Sequence, residues 1–256
     1  MKNYHRYFLK LAYNGQNYSG WQIQKNENTV QAEINKAMST IFKEDINIVG
    51  CGRTDSGVHA RNFYAHFDLS VELSNIDIQK SINSLNGILP KDIVIDDIIS
   101  VDQKANARFD ATTRTYKYYI VQKKDPFMDQ YAYIYFVDLD FELMNKAAEV
   151  LFEYKDFTSF SKVKTQTKTN NCKISHALWE KSGNTLVFTI TADRFLRNMV
   201  RAIVGTLIDV GKHKIDIDQF RSIVELKDRS EAGFSVPAHG LFLHSIKYPE
   251  SIFSKP

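Results

Sequence analysis

Gly52-Arg53-Thr54-Asp55-Ser56-Gly57-Val58-His59-Ala60 separates two stretches of strand-like sequence, and the rest of the chain is parsed outward from it. Before it, Ile46 to Val49 reads as a buried strand. After it, Asn62 to Leu69 alternates, with Phe63, Ala65, Phe67 and Leu69 on one face and Tyr64, His66 and Asp68 on the other. The run between them is a tight connection joining two strands. Glycine at 52 and 57 permits positive φ or the close approach of another segment, so Asp55 stands on a short connector with Arg53 two residues before it. A carboxylate so placed is expected to be ionised, and in a cleft it serves as nucleophile or general base. The alternative is that Asp55 bonds turn amides, as aspartates in turns commonly do.

Toward the amino terminus, Tyr7 to Tyr13 reads as a strand ended by the Asn14-Gly15 turn. An aromatic loop, Tyr18-Ser19-Gly20-Trp21-Gln22, precedes a helix capped by Asn28 or Thr29, with Val30, Ile34, Ala37, Met38 and Ile41 at helical spacing. Beyond the central run, Asn75 or Asp77 caps a helix carrying Ile78, Ile82 and Leu85, stopped by Gly87 and Pro90, and Ile93 to Val101 is strand-like. The polar stretch from Asp102 to Thr113 is the best connection between halves, giving domains 1–105 and 106–256.

The second part reads as a strand through Val121, a strand from Tyr131 to Val137, and a helix from Phe141 to Phe152 with Leu143, Ala147, Val150 and Leu151 inward. A hairpin follows, Cys172 to Glu180 and Asn184 to Ala192 across Ser182-Gly183, with Leu186, Phe188 and Ile190 on one face. Phe195, Met199, Ile203, Leu207 and Val210 form the stripe of a helix ended by Gly211, in which Gly205 is expected to permit close backbone packing. Asp216 to Leu226 completes the helices and Gly240 to Tyr248 the strands.

With 43% hydrophobic and 25% charged residues among 256, the chain is an ordinary globular one with enough apolar sequence for a sizeable core. A formal charge of +3 is only mildly basic, so local clusters must carry any argument for a nucleic-acid partner. Cys51 and Cys172 are the only cysteines, and the histidines lack paired ligand spacing, so no metal site is expected. With no amino-terminal signal-like segment and no apolar run long enough to span a bilayer, the expectation is a cytoplasmic protein with reduced thiols and no membrane.

Three stretches bear positive charge in suggestive company. Between Ala107 and Tyr118, Arg108 and Arg114 interleave with Tyr116 and Tyr118, a pattern that suits either a half-buried sheet face or a platform on which an unstacked base lies. Lys162, Lys164, Lys168 and Lys173 stand in a polar stretch without apolar period, either a solvated loop or a phosphate-tracking one. Arg194, Arg197 and Arg201, at i, i+3 and i+7, make a basic stripe on the expected helix from Phe195.

The central run resembles the active-site loop Gly-Arg-Thr-Asp-x-Gly-Val-His of the tRNA pseudouridine synthase A family, differing from many members only at Ser56, where they carry alanine. Tyr18-Ser19-Gly20-Trp21-Gln22 with Thr29-Val30-Gln31, the run from Ala107 to Tyr118, Phe195 to Gly205, and Pro237 to Leu243 resemble further motifs of that family, in order along nearly the whole chain. Ala105-Asn106 departs from the Phe-His that many members carry there.

The resemblance implies an α+β fold of two similar halves, with mostly antiparallel sheets forming a continuous surface, helices on the outer face and a basic active-site cleft between the halves. It implies that Asp55 is the catalytic nucleophile, that Tyr116 contacts the target base, and that Arg201 pairs with Asp55. Arg53 and Arg108 then bind phosphate or orient the loop, and Trp21 is either core or a ring beside the RNA. The implied activity is isomerisation of uridine to pseudouridine at positions 38, 39 and 40 of the tRNA anticodon stem-loop, by a homodimer without a cofactor.

Two rivals stand beside this reading. A serine hydrolase built on Ser56 and His59 lacks the Gly-x-Ser-x-Gly elbow. A non-catalytic RNA-binding module accounts for the arginines and tyrosines but leaves a carboxylate among them unexplained, since negative charge opposes phosphate binding.

Overall fold

The computed structural model describes residues 4–163 and 168–253. The chain is a mixed α+β protein that divides into two compact units, one of Met1–Thr112 and Leu243–Pro256, the other of Thr113–Phe242.

The first unit contains β1 (His5–Tyr13), α1 (Val30–Phe42), β2 (Val49–Gly50), β3 (His59–Leu69), α2 (Asn75–Ile88) and β4 (Ile93–Ser100). β1 lies antiparallel between β3 and β4, Leu9 facing Ala65 on one side and Ile98 on the other. Tyr7, Phe8, Leu9 and Leu11 are successive or near-successive and all fully buried, so β1 is covered on both faces. On β3 the expected face of Phe63, Ala65, Phe67 and Leu69 is buried. α1 buries Val30, Ile34, Ala37 and Met38 behind the N-cap Thr29. α2 is capped by Ser74 in a capping box with Asp77, one residue earlier than the spacing suggests.

Ile46 to Val49 is not a strand over its length, because only Val49–Gly50 joins β3. Ile46 and Ile48 are buried as a buried strand requires, though Val49 is exposed, and side chains of α1 take up the backbone groups of the two isoleucines. The Ile46 and Ile48 amides donate to Ser39 Oγ and Asn35 Oδ1, and Gln31 donates to the Ile48 carbonyl at 2.7 Å. With those groups satisfied, the segment runs along the helix instead of lengthening the sheet.

The second unit contains β5 (Thr113–Val121), β6 (Tyr133–Ile134), α3 (Phe141–Glu149), β7 (Ile174–Ser182), β8 (Thr185–Ala192), α4 (Met199–Gly211) and α5 (Ile217–Leu226). β8 is antiparallel to both β5 and β7, and the short β6 runs parallel to β5. Gly183, at φ +58, turns the β7–β8 hairpin. α4 is buried along nearly its whole length and packs against α3 and α5.

Three expectations shift here. The strand expected over Tyr131 to Val137 shrinks to two residues, since the amides of Tyr131 and Ala132 turn back onto the Met128 carbonyl. The helix from Phe141 leaves α geometry at Glu149 and continues as a 3-10 turn over Val150–Glu153. The helix expected from Phe195 begins only at Met199, because Asn198 sits in the left-handed region at φ +68. β9 (Leu241–Lys247) closes the chain; its part from Leu243 belongs to the first unit, where it lies beside β3 and Asn62 Nδ2 donates to the His244 carbonyl at 2.9 Å.

Cys51 and Cys172 are both buried and unbridged, and burial pushes the Cys172 thiol up to about 12. Among the described residues, no helix is long and apolar enough to cross a membrane.

Candidate active-site residues

Asp55 leaves the sheet on a loop that a second segment of the first unit grips. Cys51 N still donates to the Tyr64 carbonyl at 2.8 Å, prolonging the β2–β3 pairing, and β3 resumes at His59. Between them the Val58 amide donates to the Asp55 carbonyl at 3.2 Å, closing a four-residue turn. Its third residue is Gly57 at φ +78, the position at which a type II turn needs glycine. Gly52, by contrast, has no positive φ, and a Cβ on it would meet open space.

The gripping segment is 13–21. The Trp21 amide donates to the Thr54 carbonyl at 3.3 Å, and the Tyr18 carbonyl accepts both the Gly57 amide at 3.3 Å and Ser56 Oγ at 3.2 Å. Tyr13 and Thr54 share a hydroxyl–hydroxyl bond of 2.9 Å. A Cβ on Gly15 would stand 2.0 Å from the Val58 carbonyl oxygen, so Gly15 serves a backbone-to-backbone contact as well as the turn. Trp21 is core: it is 2% exposed, its ring stacks on Phe63 at 4.0 Å, and Gly50 leaves room for its indole.

These bonds bear on how Asp55 and its neighbours are used. The Gly57 and Val58 amides donate to the main-chain carbonyls of Tyr18 and Asp55. Ser56 directs its hydroxyl at a carbonyl, and the buried His59 accepts the Gly15 amide on Nδ1 at 3.1 Å. Ser56 Oγ and His59 Nδ1 each bond main chain of the 15–18 segment, in place of the Ser–His pair a hydrolase requires. Asp55 is half-buried and Arg53 exposed on the same loop.

Arg108 stands on another loop of the first unit, also exposed, with its guanidinium 5.6 Å from the Phe109 ring centroid. Asn106 Oδ1 accepts the amides of Arg108 and Phe109, and the Asp110 carboxylate accepts the Asn106 amide at 2.7 Å. The asparagine that departs from the family pattern is thus what turns the loop. Ala107 is fixed at both ends, its amide donating to His66 Nδ1 and its carbonyl accepting the Tyr248 hydroxyl. Burial, and then the charge of Arg6, hold His66 below its ordinary pKa, against the opposing pull of Asp68 and Asp110.

Tyr116 and Arg201 belong to the second unit. Tyr116 faces Ile190 across the β5–β8 ladder, half-buried, with Phe195 edge-on to its ring at 5.1 Å and 87°. Its neighbour Tyr118 is fully buried and donates to the Pro237 carbonyl; burial raises its pKa, and the positive charge of Arg201 opposes that rise. Arg201 lies in the first turn of α4, where its Nε donates to the Val236 carbonyl at 2.7 Å. The same crossing brings Gly205 against Phe234: a Cβ there would stand 1.8 Å from the Phe234 carbonyl oxygen, the close approach expected of this glycine.

The basic stripe is not helical. Arg194 and Arg197 precede α4, so only Arg201 is on the helix. They meet the lysine stretch instead. Arg197 accepts the Lys162 amide on its carbonyl, Arg194 reaches the Thr169 carbonyl at 3.3 Å, and Asp193 and Lys173 bond through main chain and carboxylate. Lys162, Lys168, Lys173 and Arg197 are all exposed there, and Lys164 falls outside the described residues. Sequence reasoning missed Phe195 as the partner of Tyr116, because its spacing fits a helical core stripe. Among the described residues, no group of three or more His, Cys, Asp or Glu is placed to hold a metal ion.

Comparison with known proteins places these segments in a family. A family model described as tRNA pseudouridine synthase matches residues 147–249. The chain is 54% identical to the tRNA pseudouridine synthase A of Parabacteroides distasonis, over 97% of this chain and 98% of that protein. It is 53% identical to that of Bacteroides thetaiotaomicron, over 98% and 93%, and 40% identical to that of Clostridium acetobutylicum, over 94% and 98%.

Proposed function

Because the chain belongs to the tRNA pseudouridine synthase A family, we propose that it isomerises uridine to pseudouridine in the anticodon stem-loop of tRNA, at positions 38, 39 and 40. The observation that carries the catalytic assignment is the build of the Asp55 loop. A turn with main-chain bonds and a positive-φ glycine holds the half-buried Asp55 on the same short loop as the exposed Arg53.

The chemistry asks for few parts. A uridine in a stem must first leave the stack, at an unstacking cost of a few kcal/mol that phosphate and stacking contacts offset. The bond from N1 to C1′ then breaks, C5 bonds to C1′, the C5 proton leaves to solvent and N1 takes one up. Asp55 is the nucleophile of this exchange, Tyr116 stacks on the base, and Arg201 keeps the carboxylate ionised. Arg53 and Arg108 bind phosphate or orient their loops, which suits their exposure. On this reading two similar halves bring their sheets together around a basic cleft, in a cytoplasmic homodimer that needs no cofactor.

The test is Asp55→Asn, which keeps the shape and removes the nucleophile. Turnover should fall below about a hundredth of the wild-type rate, since losing a covalent step costs several kcal/mol of barrier, while tRNA affinity and melting temperature stay close to wild type. Activity above that level, with deamidation excluded, contradicts the assignment. No turnover by the wild-type protein, with tRNA affinity kept or raised in Asp55→Ala, leaves the RNA-binding module standing.

A further inference from the structure

The grip on the Asp55 loop has an anchor of its own, 37 residues downstream. Asp92 sits just before β4 and contacts the 14–18 segment three times. Its main-chain carbonyl accepts the Asn14 amide at 2.8 Å, and its carboxylate accepts the Tyr18 hydroxyl at 2.6 Å and Asn17 Nδ2 at 3.2 Å. The phenol–carboxylate bond has the length of a charge-assisted one. Tyr18 is 4% exposed, and its main chain is the part that faces the loop, the carbonyl accepting Gly57 N and Ser56 Oγ.

We propose that Asp92 and Tyr18 form a positioning clamp for the catalytic loop: the Asp92 carboxylate fixes the Tyr18 ring, and the Tyr18 carbonyl thereby fixes the two residues that follow Asp55. The inference rests on Asp55 being the nucleophile. Neither residue touches the reacting atoms in this account; both act through the loop's backbone. Within the turn Val58 N donates to Asp55 O; from outside it, the Tyr18 carbonyl takes the Gly57 amide and the Ser56 hydroxyl, and Trp21 N donates to the Thr54 carbonyl just before it. Releasing the Tyr18 ring frees the carbonyl to drift, and displacement of a reacting group by about 1 Å costs on the order of a hundredfold in rate. Asp92 therefore links the start of β4 to the geometry of a carboxylate it never meets.

The experiment uses the full chain and transcribed tRNA, with Tyr18→Phe, Asp92→Ala and Asp92→Asn compared against wild type and Asp55→Asn. Tyr18→Phe retains the packed ring and Asp92→Asn retains one acceptor for the phenol, so both are expected to fold. The clamp predicts that Tyr18→Phe and Asp92→Ala lower kcat about ten- to a hundredfold with KM for tRNA unchanged, and that Asp92→Asn recovers most of the loss. It also predicts that the Gly57 amide exchanges with solvent at least about tenfold faster in the first two variants, a readout independent of turnover. Unchanged kcat in both, with Asp55→Asn inactive, overturns the clamp and leaves the nucleophile standing. Turnover surviving in Asp55→Asn overturns the nucleophile, and unchanged Gly57 exchange then overturns the clamp as well.

Discussion

Gly20 lies against the carbonyl of Thr54 so closely that a Cβ on it would stand 2.4 Å from that oxygen, with Asp55 C next at 3.2 Å. The glycine is also at φ +92, which L side chains rarely adopt. Because the obstacle is backbone of the Asp55 loop, relief requires a shift of main chain at Gly20 or at Thr54 and Asp55.

Gly20→Ala is therefore expected to combine backbone strain with overpacking, a loss of about 2–4 kcal/mol in stability, and to lower turnover further than that loss explains at temperatures where the variant is folded. Melting curves and single-turnover rates measured on the same preparation check this. Wild-type rate and stability together would contradict the contact.

Acid should loosen the Arg108 loop through His66. Folding holds its pKa below the ordinary 6.5, chiefly by burial and next by Arg6, with Asp68 and Asp110 facing it in opposition. The unfolded chain therefore takes up the proton first as pH falls. The stability this represents is complete above 6.5 and is lost as pH drops through the lowered folded value. His66→Gln does not titrate, so its stability should change less than wild type between about pH 7.5 and about pH 5. Equal slopes by urea unfolding would contradict it.

Much of this was legible in one sequence, for a physical reason: periodicity reports which residues face a core. Phe63, Ala65, Phe67 and Leu69 are buried as their alternation requires, and Leu186, Phe188 and Ile190 likewise. What periodicity does not report is where backbone groups find partners. Ile46 and Ile48 are buried as in a strand, yet bond to side chains of α1. Arg194 and Arg197 keep helical spacing to Arg201, yet the helix begins only after them, at the turn where Asn198 takes φ +68. In the candidate site, the loop and its turn glycine were readable from composition. The grip by Gly15, Tyr18 and Gly20 depends on contacts between segments more than thirty residues apart, which local pattern does not encode.

The basic residues should divide into two kinds. Lys162, Lys173 and Arg197 are exposed around the 193–198 turn and are expected to meet phosphate. Alanine at each should lower tRNA affinity and reduce the slope of log K against log salt by roughly 0.7–0.9, leaving single-turnover chemistry at saturation unchanged. Arg201, held by Val236 and assigned to Asp55, should differ: Arg201→Ala should cut turnover more than affinity. A variant of Arg201 defective only in binding would show that assignment to be wrong.

The most direct measurement follows the hydrogen at C5 of the target uridine, since isomerisation must expel it while uracil stays on the RNA. With tRNA carrying 5-tritiated uridine in the anticodon stem-loop, and no added cofactor or metal, the wild-type protein should release label to water in step with pseudouridine formation, and Asp55→Asn should release it at less than about a hundredth of that rate. Free uracil and strand breaks should be absent, and the RNA mass unchanged apart from the label. Release of free uracil, or retention of label by every tRNA offered to the folded protein, would contradict the account.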